Sequence, residues 1–154
     1  MNLSIKTTTA TSRPGAKYSY ISLQSALFHH GLIAHIPSIL YAVTPGRPRR
    51  IRTPMVTISL HRMPPELLKG FELSSASDAK IANPEKALFD LIYRAPGRSR
   101  LFSKLPELTI PRRLQWQRLK QYAELVKSAG RRAFIADRIK AIRSNPSNSE
   151  QQEA

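Results

Sequence analysis

The sequence of 154 residues contains no cysteine. Disulfide scaffolds, thiol nucleophiles and cysteine-ligated zinc are excluded with it. No apolar run approaches the roughly 18–20 residues that a membrane-crossing helix needs. The start, Met1-Asn2-Leu3-Ser4-Ile5-Lys6, lacks the apolar stretch of a secretory signal. There are six glycines, and none falls in G-x-x-x-x-G-K, G-x-G-x-x-G or G-x-S-x-G. A nucleotide-cradling loop and a nucleophile elbow are therefore missing, and no motif asks for a cofactor. Acids are scarce as well: ten Asp and Glu stand against 25 Lys and Arg, and residues 1–65 hold no acid at all.

Ordinary hydrophobicity accompanies this unusual charge. The apolar fraction of 41% suits one core, while the net charge of +15 asks for a polyanionic partner. Nucleic acid ranks ahead of an anionic membrane surface, because the apolar helix faces are of core size and carry one Trp. The expected protein is cytoplasmic and keeps away from membranes. Its charge is uneven: +8 over 1–65, −2 over 66–93, +11 over 94–143 and −2 over 144–154.

Local pattern predicts a single α+β domain at 17–143, between a flexible arm at 1–16 and a disordered tail at 144–154. A first helix of about three turns starts at Ser22, read as an N-cap, and stops at Gly31. Residues 39–44 and 51–63 read as strands, the second with Val56, Ile58 and Leu60 alternating against Thr57 and Ser59. They are expected to pair antiparallel through the arginine-rich turn between them. Weaker strands are expected at 71–74 and 80–82. Asn83-Pro84-Glu85 is a strong helix start, with Asn as cap, Pro at the first helical position and an acid in the first turn, giving a helix over 84–94. Helices over 112–127 and 131–143 complete a small, mostly antiparallel sheet with an N-terminal helix, a central helix and a C-terminal helical section.

Metal chemistry finds little support in the residues. His29 and His30 are adjacent and diverge by about 100° on a helix, so they do not chelate together, and no H-x-x-x-H occurs. Asp78-Ala79-Lys80 has the Asp-x-Lys form of restriction-type nucleases, with Glu66 or Glu72 upstream as a second Mg²⁺ ligand. That enzyme is the alternative reading. A three-residue pattern recurs so often by chance that a polar turn explains it better.

The arginine clusters are the stronger signal. Arg47, Arg49, Arg50 and Arg52 fall within six residues, followed by Arg98 and Arg100, Arg112 and Arg113, Arg118, and Arg131 and Arg132. A guanidinium donates two parallel bonds to one phosphate, and each such contact releases counterions, so these residues are the expected nucleic-acid contacts, DNA first. No catalytic or metal-binding residue is expected.

Two blocks then carry a resemblance. Residues 20–32, containing Ser25-Ala26-Leu27-Phe28-His29-His30-Gly31-Leu32, and residues 81–93, containing Ala82-Asn83-Pro84-Glu85-Lys86-Ala87-Leu88-Phe89-Asp90-Leu91-Ile92-Tyr93, resemble the C-terminal domain of AbiEi-type antitoxins. Leu105-Pro106-Glu107-Leu108 and Trp116-Gln117-Arg118-Leu119 look like that family's later helices, so the likeness spans about residues 18–143. It implies a non-enzymatic antitoxin of a type IV toxin–antitoxin (abortive infection, phage defence) system. Such a protein opposes a nucleotidyltransferase toxin as a functional partner without a stable complex. Family members often repress their own operon through an N-terminal winged helix-turn-helix, and about twenty residues before the first matching helix are too few for one. Operator recognition is therefore not carried over. Either the domain stands alone, or DNA meets the basic surface, or a separate partner supplies DNA binding. Asn83, Pro84 and Glu85 start a helix that Ala87, Leu88 and Leu91 pack, so Glu85, Lys86 and Asp90 are not nominated as catalytic.

Overall fold

The computed structural model describes residues 19–74, 79–95 and 106–145. The arm expected at 1–16 and all of the expected tail except Ser144 and Asn145 lie outside them, as do Asp78, Arg98, Arg100 and Leu105.

The elements run β1 (Tyr20–Ile21), α1 (Leu23–His29), β2 (Leu40–Thr44), β3 (Arg49–Arg52) and β4 (Thr57–Arg62). A 3-10 turn at Pro65–Leu67 leads to β5 (Phe71–Leu73), β6 (Lys80–Ala82), α2 (Pro84–Arg94), α3 (Trp116–Glu124) and α4 (Ala129–Arg143). The six strands form one sheet in the order β3-β4-β2-β1-β6-β5. The class is α+β. Antiparallel pairings join β1 to β2, β3 to β4 and β5 to β6, and parallel ones join β1 to β6 and β2 to β4.

One pairing departs from the expected hairpin. The strands at 40–44 and 57–62 lie parallel, Leu40 opposite Ile58 and Thr44 opposite Arg62. The arginine-rich residues between them are no turn: Arg49–Arg52 is a strand antiparallel to β4. The tight turn falls later, where Thr53 Oγ1 donates to the Val56 carbonyl at 2.7 Å and accepts from its amide at 3.0 Å. Burial explains the choice. All five residues of β2 and the Ile58-Ser59-Leu60 centre of β4 are buried, so both strands need neighbours on either side. A strand of three arginines tolerates an edge and there protects the sheet from further pairing.

Helix boundaries follow their caps. α1 has seven residues, two turns rather than three. It ends in a Schellman motif: Gly31 at φ +81 lets the Leu32 amide reach the Leu27 carbonyl at 2.9 Å and the Gly31 amide that of Phe28 at 3.0 Å. Asn83 Oδ1 accepts from the Lys86 amide at 2.8 Å, and α2 occupies the expected 84–94. α3 starts at Trp116 rather than 112, because the chain after Pro111 first makes a turn closed by the Leu114 amide on the Pro111 carbonyl. Ser128 caps α4 from its side chain, so that helix begins at Ala129 and absorbs Gly130.

α2 lies at the centre of the core. Every residue from Glu85 to Tyr93 is buried, and α1, α3 and α4 all pack on it. Leu119 and Ala123 of α3, Val126 just after it, and Ile135, Ile139 and Ile142 of α4 are buried in the core. Among the described residues, no helix is long and apolar enough to cross a membrane.

Candidate functional site

Two clusters of charge stand out, one sealed in the core and one open to solvent. The sealed one is built on α2. Lys86 and Asp90 are one turn apart, form a close ion pair, and are both 0% exposed. Ser22 Oγ donates to Asp90 Oδ2 at 2.6 Å, and the Tyr20 hydroxyl donates to the same oxygen at 3.1 Å while accepting from Lys86 Nζ at 2.8 Å. The rings of Phe89, Tyr20 and Tyr122 surround the ammonium at 5.1, 5.4 and 5.8 Å. Ser22 thus occupies the α1 N-cap position without capping; its hydroxyl is spent on Asp90. Leu23, buried beside it, takes φ +57, a left-handed conformation that costs a side-chain-bearing residue about 1–2 kcal/mol.

Burial raises the Asp90 carboxyl and lowers the Lys86 ammonium, while each partner opposes that effect on the other. Burial, then the Asp90 charge, raises the Tyr20 phenol. A lysine, carboxylate and phenol in contact are chemically capable of proton transfer. Here Tyr20 is 2% exposed and Ser22, Lys86 and Asp90 are 0%, so no substrate reaches them as they stand. The cluster ties α2 to β1 and to the start of α1.

Sequence reading does not find this cluster, since a Lys and an Asp four apart on a helix look like a solvated pair. On a helical wheel of about 100° per residue, Lys86, Asp90 and Arg94 fall in one stripe between Tyr93 and Ala87, the pattern of a solvated face, so the sequence carries no signal that the first two are buried.

The open cluster lies at the other end of α2. Arg94, in the last turn, donates from Nη1 to the Arg62 carbonyl at 3.3 Å. Arg131, in the first turn of α4, lies with its guanidinium carbon 3.9 Å from the Tyr93 ring centre and donates to the Tyr93 carbonyl at 2.7 Å. On the sheet, strand register places Arg50, Ser59, His61, Tyr41 and Tyr20 on one face, the face from which Tyr20 reaches α2. His61 Nε2 and Ser59 Oγ are 3.0 Å apart. Burial first, then Arg94 and Arg50, holds the His61 imidazole down to about 4. Burial and the neighbouring Arg131 lower the Arg94 guanidinium too. The +8 and +11 segments therefore meet here, as Arg50 and His61 from one and Arg94 and Arg131 from the other. Ion pairs among the described residues are Lys86–Asp90 and Lys127–Glu66, and neither involves these arginines.

The expected contact residues scatter around this centre. Arg50 and Arg52 are exposed on the α2 side of β3, while Arg49 is half-buried on the opposite side, and Arg47 is exposed in the connection before it. Arg132 donates to the Val126 and Lys127 carbonyls at 2.6 and 3.1 Å and so closes the end of α3. Arg112 is exposed before α3. Arg113 and Arg118 line a separate cleft of about 770 Å³ with His29, His30, Glu72 and Glu85. There Glu85 Oε1 accepts the Gln115 amide at 2.9 Å, and His30 Nε2 donates to the Ala82 carbonyl at 2.7 Å. Arg98 and Arg100 lie outside the described residues. Arg94 and His61 were missed. The signal for Arg94 was its place in the last turn of the best-marked helix.

Among the described residues, no group of three His, Asp or Glu side chains is placed to hold a metal ion. Glu72 stands opposite Ile81 and Leu73 opposite Lys80, so Glu72 and Lys80 project from opposite faces of the sheet. Glu66 pairs with Lys127 at 3.8 Å. No family model matches the chain, and no curated protein gives a match to it.

Proposed function

We propose that this chain is an AbiEi-like antitoxin domain, a non-enzymatic regulator that opposes a nucleotidyltransferase toxin and meets nucleic acid, DNA first, through its arginine-rich face. The observation that carries the nucleic-acid part is that Arg50 lies on the sheet face that carries His61, Arg94 reaches the Arg62 carbonyl next to it and Arg131 holds the Tyr93 carbonyl next to Arg94, with no described carboxylate paired to any of the three. Uncompensated guanidinia from three separate elements form a surface to which a polyanion is the complementary partner.

The antitoxin part is supported by how the two resemblance blocks use each other. The first block supplies Tyr20, Ser22 and His30, and the second supplies Asp90 and the Ala82 carbonyl that they bind. Residues that look like a family pattern in sequence are thus mutual partners in space.

The test is growth. A nucleotidyltransferase toxin encoded beside this chain is induced in a test bacterium with and without the chain. Restored growth is expected, as is failure of rescue when Arg50, Arg94 and Arg131 are changed together to Gln. Persistent toxicity beside abundant folded protein would overturn the antitoxin reading.

A further inference from the structure

The chain carries 25 bases against ten acids, yet the cleft that Arg113 and Arg118 line mixes both signs over an apolar floor. At about 770 Å³ it has the size of a small-molecule site. Ile21, Leu40 and Ile81 supply the floor from one sheet face, and strand register carries that face on to Glu72 of β5, at the edge of the sheet. Phe28, His29 and His30 enter from the end of α1, the two imidazoles edge to face at 5.0 Å. Arg113 sits in the turn that buried Leu114 closes on Pro111, and Arg118 in the first turn of α3. The bond from the Gln115 amide to Glu85 ties both to the start of α2 and occupies one oxygen of that carboxylate. Arg113, Arg118 and Glu72 are exposed, and among the described residues none of the three has an ion pair. His30 donates from Nε2 to the Ala82 carbonyl, which leaves Nδ1 as an acceptor. Burial lowers the His30 imidazole, so the ring is neutral at pH 7 and keeps that lone pair.

Two open guanidinia call for one anionic group, acceptors on Glu72 and His30 call for N–H donors, and the rings call for a flat partner. Because Glu72 and Glu85 balance Arg113 and Arg118, the lining has no net charge and gives a continuous polyanion no advantage over the rest of the surface. A nucleotide meets all three demands at once. We infer that this cleft binds a single nucleotide with an amino-bearing base, its phosphate on Arg113 and Arg118, its base against the imidazoles of His29 and His30, and its amino edge toward Glu72. The ligand is a free mononucleotide or the terminal nucleotide of a strand. The inference goes beyond the proposed contact face at the end of α2, with whose arginines the cleft shares no residue.

The experiment is calorimetric titration of the whole chain with AMP, GMP and CMP, with their nucleosides, and with ribose 5-phosphate. At least one nucleotide should bind tenfold or more tighter than its nucleoside and than ribose 5-phosphate. In NMR spectra the ring protons of His29 and His30 should shift with that nucleotide and stay in place with ribose 5-phosphate. Arg113→Gln and, separately, Arg118→Gln should each remove most of the affinity. Arg138→Gln, at a residue that lies over Phe134 on α4, changes the net charge equally and should keep it. Glu72→Ala removes a negative charge, so simple attraction of an anion would strengthen binding; the inference predicts weaker binding instead, because the base loses its acceptor. A short single strand with a 5′-phosphate that displaces the nucleotide places the ligand at a strand end, and a strand that fails to displace it assigns the cleft to a free mononucleotide. Ribose 5-phosphate binding as tightly as every nucleotide, or no heat from any nucleotide at millimolar concentration, overturns the inference and leaves contact of nucleic acid with the end of α2 standing.

Discussion

Breaking the Lys86–Asp90 pair tests the packing of α2. Both side chains are fully buried, so Lys86→Met strands a carboxylate in the core and Asp90→Asn strands an ammonium. Removing one partner of a buried pair costs about 3–5 kcal/mol, because the remaining charge is left without its counterion. Additivity would put the double variant roughly 6–10 kcal/mol below the parent, within reach of the whole stability of a small domain. The structure predicts otherwise. With both charges gone, the amide oxygen that replaces the carboxylate still accepts from Ser22, and the thioether side chain that replaces the lysine fills the cage of Phe89, Tyr20 and Tyr122. What remains is about 1–3 kcal/mol for an imperfectly paired buried amide. The double variant should thus be more stable than either single one, with a coupling of roughly 3 kcal/mol or more. Urea unfolding followed by far-UV circular dichroism measures all four proteins. Additive losses, with coupling below about 0.5 kcal/mol, would show that the two charges do not meet in the core.

Three further outcomes are expected. Gly70 has φ +77, and a Cβ there would sit 2.9 Å from Tyr122 Cζ and 3.0 Å from Lys86 Cβ, so Gly70→Ala should cost roughly 2–4 kcal/mol in urea unfolding, whereas Gly130→Ala on open α4 should not destabilise. Asn83→Ala removes the α2 cap and the 3.3 Å bond to the Tyr122 hydroxyl, and a loss of about 1–2 kcal/mol should be recovered largely by Asn83→Asp. His61 is held at about 4 in the folded chain against an ordinary 6.5, so between those values the unfolded state binds a proton that the folded state refuses. Stability is then fully present above about pH 6.5 and falls as pH drops toward 4, by about 1–2 kcal/mol after allowing for screening of a half-exposed ring; His61→Gln should flatten that part of the curve, and an unchanged pH profile would remove the cause.

Local chemistry was legible where the chain alone decides it. Asn83-Pro84 and Gly31 marked their helix ends because a cap needs only its own few residues. Pairing was less legible. Alternation at 56–60 shows that a strand exists, but the partner of β2 was decided by burial on both of its faces, a property of the whole sheet. The arginines of β3 looked like a turn because charge and proline at 45–50 resemble loop composition, while an edge strand accepts the same residues. Within the candidate site, the arginine clusters were visible one by one and their convergence was not. Arg94 came to the sheet only through its reach to the Arg62 carbonyl at the end of β4, and His61 became part of the site through a strand register that sequence does not print.

The central claim, that the face at the end of α2 meets nucleic acid, is tested most directly by the salt dependence of binding. Anisotropy titrations of a labelled duplex over a range of salt, for the parent and for the Arg50→Gln, Arg94→Gln, Arg131→Gln triple variant, give two slopes of log affinity against log salt. Each phosphate contact contributes about 0.9 to the slope, so the account predicts a steep parent slope that becomes shallower by roughly two to three in the variant. The same slope in both proteins, or a parent whose binding ignores salt, would contradict it.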